Sequence, residues 1–114
     1  MNPFDYTLCS QCVTLYRFRD GTVSRQLLTN CYFAPEAGQK AALPGKSRLK
    51  KFLLIIPGQV EIAPGDRIYD GIGPEEIRWA SFLPDTEEHV YEIGRVKPCY
   101  WDGELCHVQA KEAL

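Results

Sequence analysis

The stretch DYTLCSQCVTLYRF, residues 5 to 18, spaces Cys9 and Cys12 as C-x-x-C. Two sulfurs at that spacing can hold a zinc ion from one tight turn, or cycle between dithiol and disulfide. A four-coordinate zinc site needs a second pair, and the chain offers Cys99 and Cys106, with His107 beside them. Only the first pair has the close spacing of a metal knuckle, so the second would have to converge across a hairpin. The redox reading is weaker, because such motifs open a helix in a βαβ unit and this one runs into a β-rich stretch. The expectation is that Cys9 and Cys12 pack or lie exposed near the start of the chain, with no metal and no other cofactor. A domain stabilised by zinc through Cys9, Cys12, Cys99 and Cys106 is the alternative.

Acid–base or nucleophilic catalysis has few candidates. A general base for neutral pH would have to be His89 or His107, the two histidines, and the chain contains no G-x-S-x-G elbow, no phosphate-cradling G-x-x-x-x-G-K and no H-E-x-x-H. His107 reads as a core or edge imidazole, and His89 lies in the acidic, solvated turn DTEEH. A non-catalytic protein is expected. For nucleic acid, Arg17, Arg19 and the cluster KSRLKK offer a basic stripe, and the tyrosines and phenylalanines offer stacking surfaces. The formal net charge of −2 opposes this, so a nucleic-acid-binding barrel is also kept only as an alternative.

The elements that must position these residues are set by two Asp-Gly steps. Asp-Gly favours a two-residue type I′ turn, because both central positions take positive φ. Asp20-Gly21 therefore opposes Arg19 to Thr22, Phe18 to Val23 and Tyr16 to Arg25. That register puts Tyr16, Phe18, Val23 and Leu27 on one face, read as core, and Arg17, Arg19, Thr22 and Ser24 on the other, read as wet. Asp102-Gly103 repeats the device, opposing Trp101 to Glu104, Tyr100 to Leu105 and Cys99 to Cys106. Between the hairpins, FLLII reads as a buried strand closed by Pro57-Gly58, and DRIYDG as a short strand. Residues 74–83 fit a short helix opened by Pro74, although Ile77, Trp79, Ser81 and Leu83 also alternate like a strand.

In 114 residues, 45% of them hydrophobic, there is room for one domain and one core. The expected fold is mainly β: a small closed β-barrel or sandwich of five to six strands with at most one short helix. The expected core is Tyr16, Phe18, Val23, Leu27, Phe52, Leu54, Ile56, Ile68, Ile93 and Val96. Residues 34–47, rich in Ala, Gly and Pro, read as a long exposed loop, and Lys40, Lys46 and Arg48 with Arg17 and Arg19 as the partner-contacting cations. No apolar run is long enough to cross a bilayer as a helix, no signal-peptide pattern opens the chain, and five cysteines is an odd count, so a reducing cytoplasm and no membrane partner are expected.

Taken in order, VTLYRF opening the first strand, CYF closing the second, LLIIP, APGDRIYDG, YEIGRV and a last hairpin carrying CHVQA resemble a known pattern. It is that of the small minor capsid or head–tail connector proteins encoded in tailed phages and prophages of Gram-positive bacteria. The resemblance covers roughly Val13 to Ala110; Cys9, Cys12 and the DTEEH turn depart from the family's pattern. It implies a structural subunit without catalysis, made in the bacterial host cytoplasm and then carried in the virion or a phage-like particle. Its implied partners are portal, connector or tail subunits, with a homo-oligomeric ring formed on assembly.

Overall fold

The computed structural model describes residues 6–36 and 50–113. Seven strands form one antiparallel sheet: β1 (Gln11–Arg19), β2 (Thr22–Pro35), β3 (Phe52–Pro57), β4 (Arg67–Asp70), β5 (Val90–Glu92), β6 (Arg95–Trp101) and β7 (Glu104–Lys111). Their order across the sheet is β5-β4-β1-β2-β3-β7-β6. Both Asp-Gly turns form as their chemistry demands, with φ of 53° and 75° at Asp20 and Gly21, and 52° and 79° at Asp102 and Gly103. The first hairpin has the expected register, with Arg19 opposite Thr22, Phe18 opposite Val23 and Tyr16 opposite Arg25.

β2 is long enough to serve two neighbours because it bends. Opposite the Gln11–Val13 step, β2 runs from Cys31 to Leu28, one residue more, and the surplus is absorbed where Asn30 takes φ 56°. Asn tolerates that left-handed conformation better than most residues, and a bulge of this kind sharpens the local twist. Beyond it β2 leaves β1 and pairs with β3, from Tyr32 opposite Ile55 to Pro35 opposite Phe52. The Gln11 side chain fills the gap left in the ladder. Its Oε1 accepts from the Phe33 N–H at 2.9 Å and its Nε2 donates to the Phe33 carbonyl at 3.1 Å.

The bend curls the sheet over its inner face, but the sheet stays open. β5 and β6 are its two edges and are nevertheless consecutive in the chain, separated only by Ile93 and Gly94. The backbone steps across the gap there: Ile93 N–H donates to Asp66 O and Gly94 N–H to Lys111 O, both at 2.8 Å. The expected closed barrel of five to six strands is thus corrected to an open, curled sheet of seven. YEIGRV, the segment ahead of the last hairpin, is broken at this corner, so that Val90–Glu92 and Arg95–Trp101 are two strands that bond to different neighbours. Gly94 has no room for a side chain, since a Cβ would collide with the Ala113 backbone.

Inside the curl lie Val13, Leu15, Leu28, Cys31, Phe33, Phe52, Leu54, Ile56, Ile68, Ile93 and Ala110. Burying each large side chain of this set stabilises the fold by about 1.5–3 kcal/mol before chain entropy is counted. A second, smaller cluster of Tyr16, Phe82 and Val90 sits on the opposite face of β1, roofed by the segment between β4 and β5. That segment is neither helix nor strand among the described residues, which corrects the expected helix over 74–83: it is a series of turns. Its carbonyls are claimed from the sheet instead. Arg67 Nη1 donates to the Trp79 and Phe82 carbonyls at 2.5 and 2.9 Å, its guanidinium lies 3.9 Å from the Trp79 ring centroid, and Tyr16 Oη donates to Pro74 O at 2.5 Å.

β1 is therefore covered on both faces, and the expected division into one dry and one wet face fails there. Tyr16, Phe52, Leu54, Ile56, Ile68 and Ile93 are core as expected, whereas Phe18 is 46% and Leu27 42% exposed, and Val23 and Val96 only partly buried. The roofing segment covers Phe18 only in part, through the Trp79 ring, and the β1 residues that point into the curl are Val13 and Leu15. At the far end of the sheet Glu112 is buried. Its Oε1 accepts from the Phe52 N–H at 3.0 Å and its Oε2 from Arg95 Nη2 at 2.8 Å. Ala34 and Pro35 belong to β2, Glu36 N–H donates to Lys51 O at 2.9 Å, and residues 37–47 of the segment expected as a loop lie outside the described residues.

Candidate interaction surface

Of the five cations expected to meet a partner, Lys40, Lys46 and Arg48 lie outside the described residues. Arg17 and Arg19 alternate with the core residues of β1 and reach the turn that precedes β4. Arg17 Nη1 is 3.4 Å from Glu61 and its Nε 3.4 Å from Asp66, while Arg19 is 3.8 Å from Glu61. The Arg17 side chain is only 14% exposed. Asp66 is itself fixed by the Ala63 N–H at 2.9 Å. These two arginines meet carboxylates of their own chain, and the basic stripe that a polyanion would need is neutralised at this end.

The four cysteines of the zinc alternative are not brought together. The second hairpin keeps Trp101 opposite Glu104 and Tyr100 opposite Leu105, but a bulge inserts Cys106 as an extra residue, so Cys99 faces His107 instead. This corrects the expected Cys99–Cys106 pair. Cys12, Cys31, Cys99 and Cys106 carry free thiols, and among the described residues no three His, Cys, Asp or Glu side chains are grouped so as to hold a metal ion. The four-sulfur arrangement of the zinc alternative is not formed. Cys31 is fully buried, and burial, with Cys9 and Cys12 nearby, pushes its thiol up to about 11. His107 is buried under the start of the chain: Tyr6 Oη is hydrogen-bonded to its Nδ1 at 2.6 Å, the rings meet edge to face, and the Gln109 amide lies 3.3 Å from Nε2. Burial holds its pKa below the ordinary histidine value.

Set against models of known protein families, curated proteins and solved structures, the chain matches none. The surface has to be read on its own chemistry.

Among the described residues, the large apolar side chains left in solvent are Leu8, Phe18, Leu27, Ile72, Tyr100 and Trp101. Single exposed hydrophobics are ordinary, but adjacent exposed aromatics are not. Tyr100 and Trp101 are consecutive at the tip of the β6–β7 hairpin, 60% and 51% exposed. Successive residues on a strand point to opposite faces, so each face of the tip presents one large ring. The edge beside them is guarded: Lys97 and Pro98 stand in the middle of β6, and a proline offers no N–H to an added strand. This edge is therefore poorly suited to extension of the sheet by an added strand. At the other hairpin tip Phe18 stacks on Trp79, with centroids 5.6 Å apart, leaving a second aromatic edge in water. Sequence reasoning missed both features, having assigned Phe18 to the core and given Tyr100 and Trp101 no role. The available signal was an aromatic pair immediately before an Asp-Gly turn.

Proposed function

We propose that this protein is a non-catalytic structural subunit of a tailed phage or prophage particle, a minor capsid or head–tail connector protein. It works by surface contact with portal, connector or tail subunits after synthesis in the host cytoplasm. The observation that carries the reading is the hairpin tip with one exposed aromatic on each face. A wedge of that kind suits insertion between two neighbours, which is what a subunit in a ring has. Aromatic side chains are enriched in such contacts because they bury large areas at small conformational cost. The order of sequence segments is the other support for this reading; in the fold VTLY lies in β1, LLIIP is most of β3, and YEIGRV spans the corner between the two sheet edges.

The test is a Tyr100→Ser/Trp101→Ser double variant. Its melting temperature should stay within a few degrees of the parent, because both rings are already half in water. Its co-sedimentation with portal–tail complexes, or its incorporation into particles, should be lost. A double variant that incorporates like the parent, or a parent protein that associates with no morphogenesis partner across a concentration series, would overturn the proposal.

A further inference from the structure

The turn before β5 belongs to the acidic stretch Asp85–Glu88, whose side chains are exposed and whose backbone carbonyls are used from elsewhere. Lys50, the second residue before β3, extends its ammonium into this turn. Nζ donates to Glu87 O at 2.9 Å, Glu88 O at 2.9 Å and Val90 O at 3.1 Å, and stands 5.0 Å from the centroid of the Tyr91 ring. An ammonium has three N–H donors, and here each has one carbonyl acceptor. An aromatic ring face adds cation–π attraction. Burial works against the charged form of Lys50, and Glu88 and Asp85 favour it.

We propose that the turn 87–90 together with Tyr91 is a receptor site for a primary ammonium group, and that Lys50 is its built-in ligand. The donor count sets the class of ligand: a quaternary ammonium has no N–H to give, and a guanidinium presents a planar fork that does not match three carbonyls converging on one atom. The site has a mechanical role. β5 is three residues long and, among the described residues, pairs only with β4, while Tyr91 packs against Phe33 and Phe52 from across the curl. Lys50 thus ties the chain entering β3 to the chain entering β5, on either side of the mouth of the curl. A lysine side chain from another protein competes for the same three carbonyls. This inference is independent of the assembly role proposed above.

Two measurements test it. In the unmodified protein, nitrogen-15 NMR of the side-chain amines should show a Lys50 ammonium signal that exchanges slowly with water, unlike those of solvated lysines. A Lys50 that exchanges as fast as the others would overturn the proposal. In the Lys50→Ala variant the melting temperature should fall by several degrees, and ethylammonium should restore at least half of the loss. Tetramethylammonium and sodium at the same ionic strength should restore little. Equal recovery with sodium would mean simple screening, and an undiminished melting temperature would mean an idle site; either result overturns it. If Lys50→Ala does not fold, Lys50→Met keeps the apolar stem and takes its place, with the NMR measurement on the parent decisive by itself.

Discussion

Replacing Glu112 by Ala should cost about 2–3 kcal/mol, more than a surface position near the end of a strand would suggest. One oxygen of the carboxylate is the acceptor for the buried Phe52 N–H, and the other meets an Arg95 side chain that is 42% exposed. Leaving a buried N–H without an acceptor costs about 1–3 kcal/mol, whereas a half-solvated ion pair contributes about 0.2–1 kcal/mol. The first effect dominates. Glu112→Gln retains a carbonyl oxygen for Phe52 and should lose only about 0.5 kcal/mol, as should Arg95→Met. Urea denaturation of the three variants, with the melting temperature of Glu112→Ala expected about 10 °C down, separates the two contributions. The pH dependence is a second check. Burial would raise the carboxyl pKa, but hydrogen bonds from the Phe52 N–H, its own N–H and Arg95 outweigh it and hold Glu112 below 4.5. The unfolded chain then takes up the proton first as pH falls, so this stabilisation is complete above about pH 4.5 and is lost as pH drops through the folded-state value. If Glu112→Gln were as damaging as Glu112→Ala, or Glu112→Ala lay within about 0.5 kcal/mol of the parent, the claim that acceptor loss dominates would be wrong.

Gly94→Ala should destabilise by about 1–3 kcal/mol or prevent folding, because its Cβ meets the Ala113 backbone and not a movable side-chain end; thermal denaturation equal to the parent would refute the corner geometry. Phe33→Ala should cost about 3–5 kcal/mol and Phe18→Ala about 1 kcal/mol, in keeping with exposures of 3% and 46%, and chemical denaturation that reverses this order would show that the first hairpin is misplaced. Buried His107 protonates less readily in the folded protein than at the ordinary 6.5, so stability should decline as pH falls below about 6.5 and level off once the folded-state pKa is passed. Denaturation curves of His107→Gln should lack that component, and an unchanged slope in this window would assign it elsewhere.

The parts of the fold legible in the sequence are those where one residue type has no substitute. Asp-Gly turns demand two positive φ angles, and from that requirement the pairing of Arg19 with Thr22 and of Trp101 with Glu104 follows. Alternation placed Phe52, Leu54 and Ile56 correctly, because β3 turns one face of its side chains inward. What could not be read depends on backbone atoms, which are the same at every position. The carbonyls that Lys50 and Arg67 seek, the Phe52 N–H that Glu112 satisfies, and the bulge that separates Cys99 from Cys106 leave no side-chain signature. The exposure of Phe18 was hidden because β1 is covered from both sides and alternation cannot say which cover is shorter. The surface proposed for assembly was legible as residue types and illegible as placement: Tyr100 and Trp101 mean little until the hairpin is seen to end in them.

The two-residue step at Ile93 and Gly94 bears on how the chain acquires its structure. Once Glu92 lies beside Arg67, Arg95 is delivered to Lys111 with almost no freedom left to search, although the strands so joined are at opposite borders of the sheet. Docking one border nucleates the other. Formation of the β4–β5 pair and of the β6–β7 pair should therefore be kinetically linked, and the most protected amides of both should exchange with deuterium in a single cooperative opening, not as two independently breathing halves. Glycine insertions between Glu92 and Arg95 would uncouple them, giving a protein whose two borders melt at different temperatures.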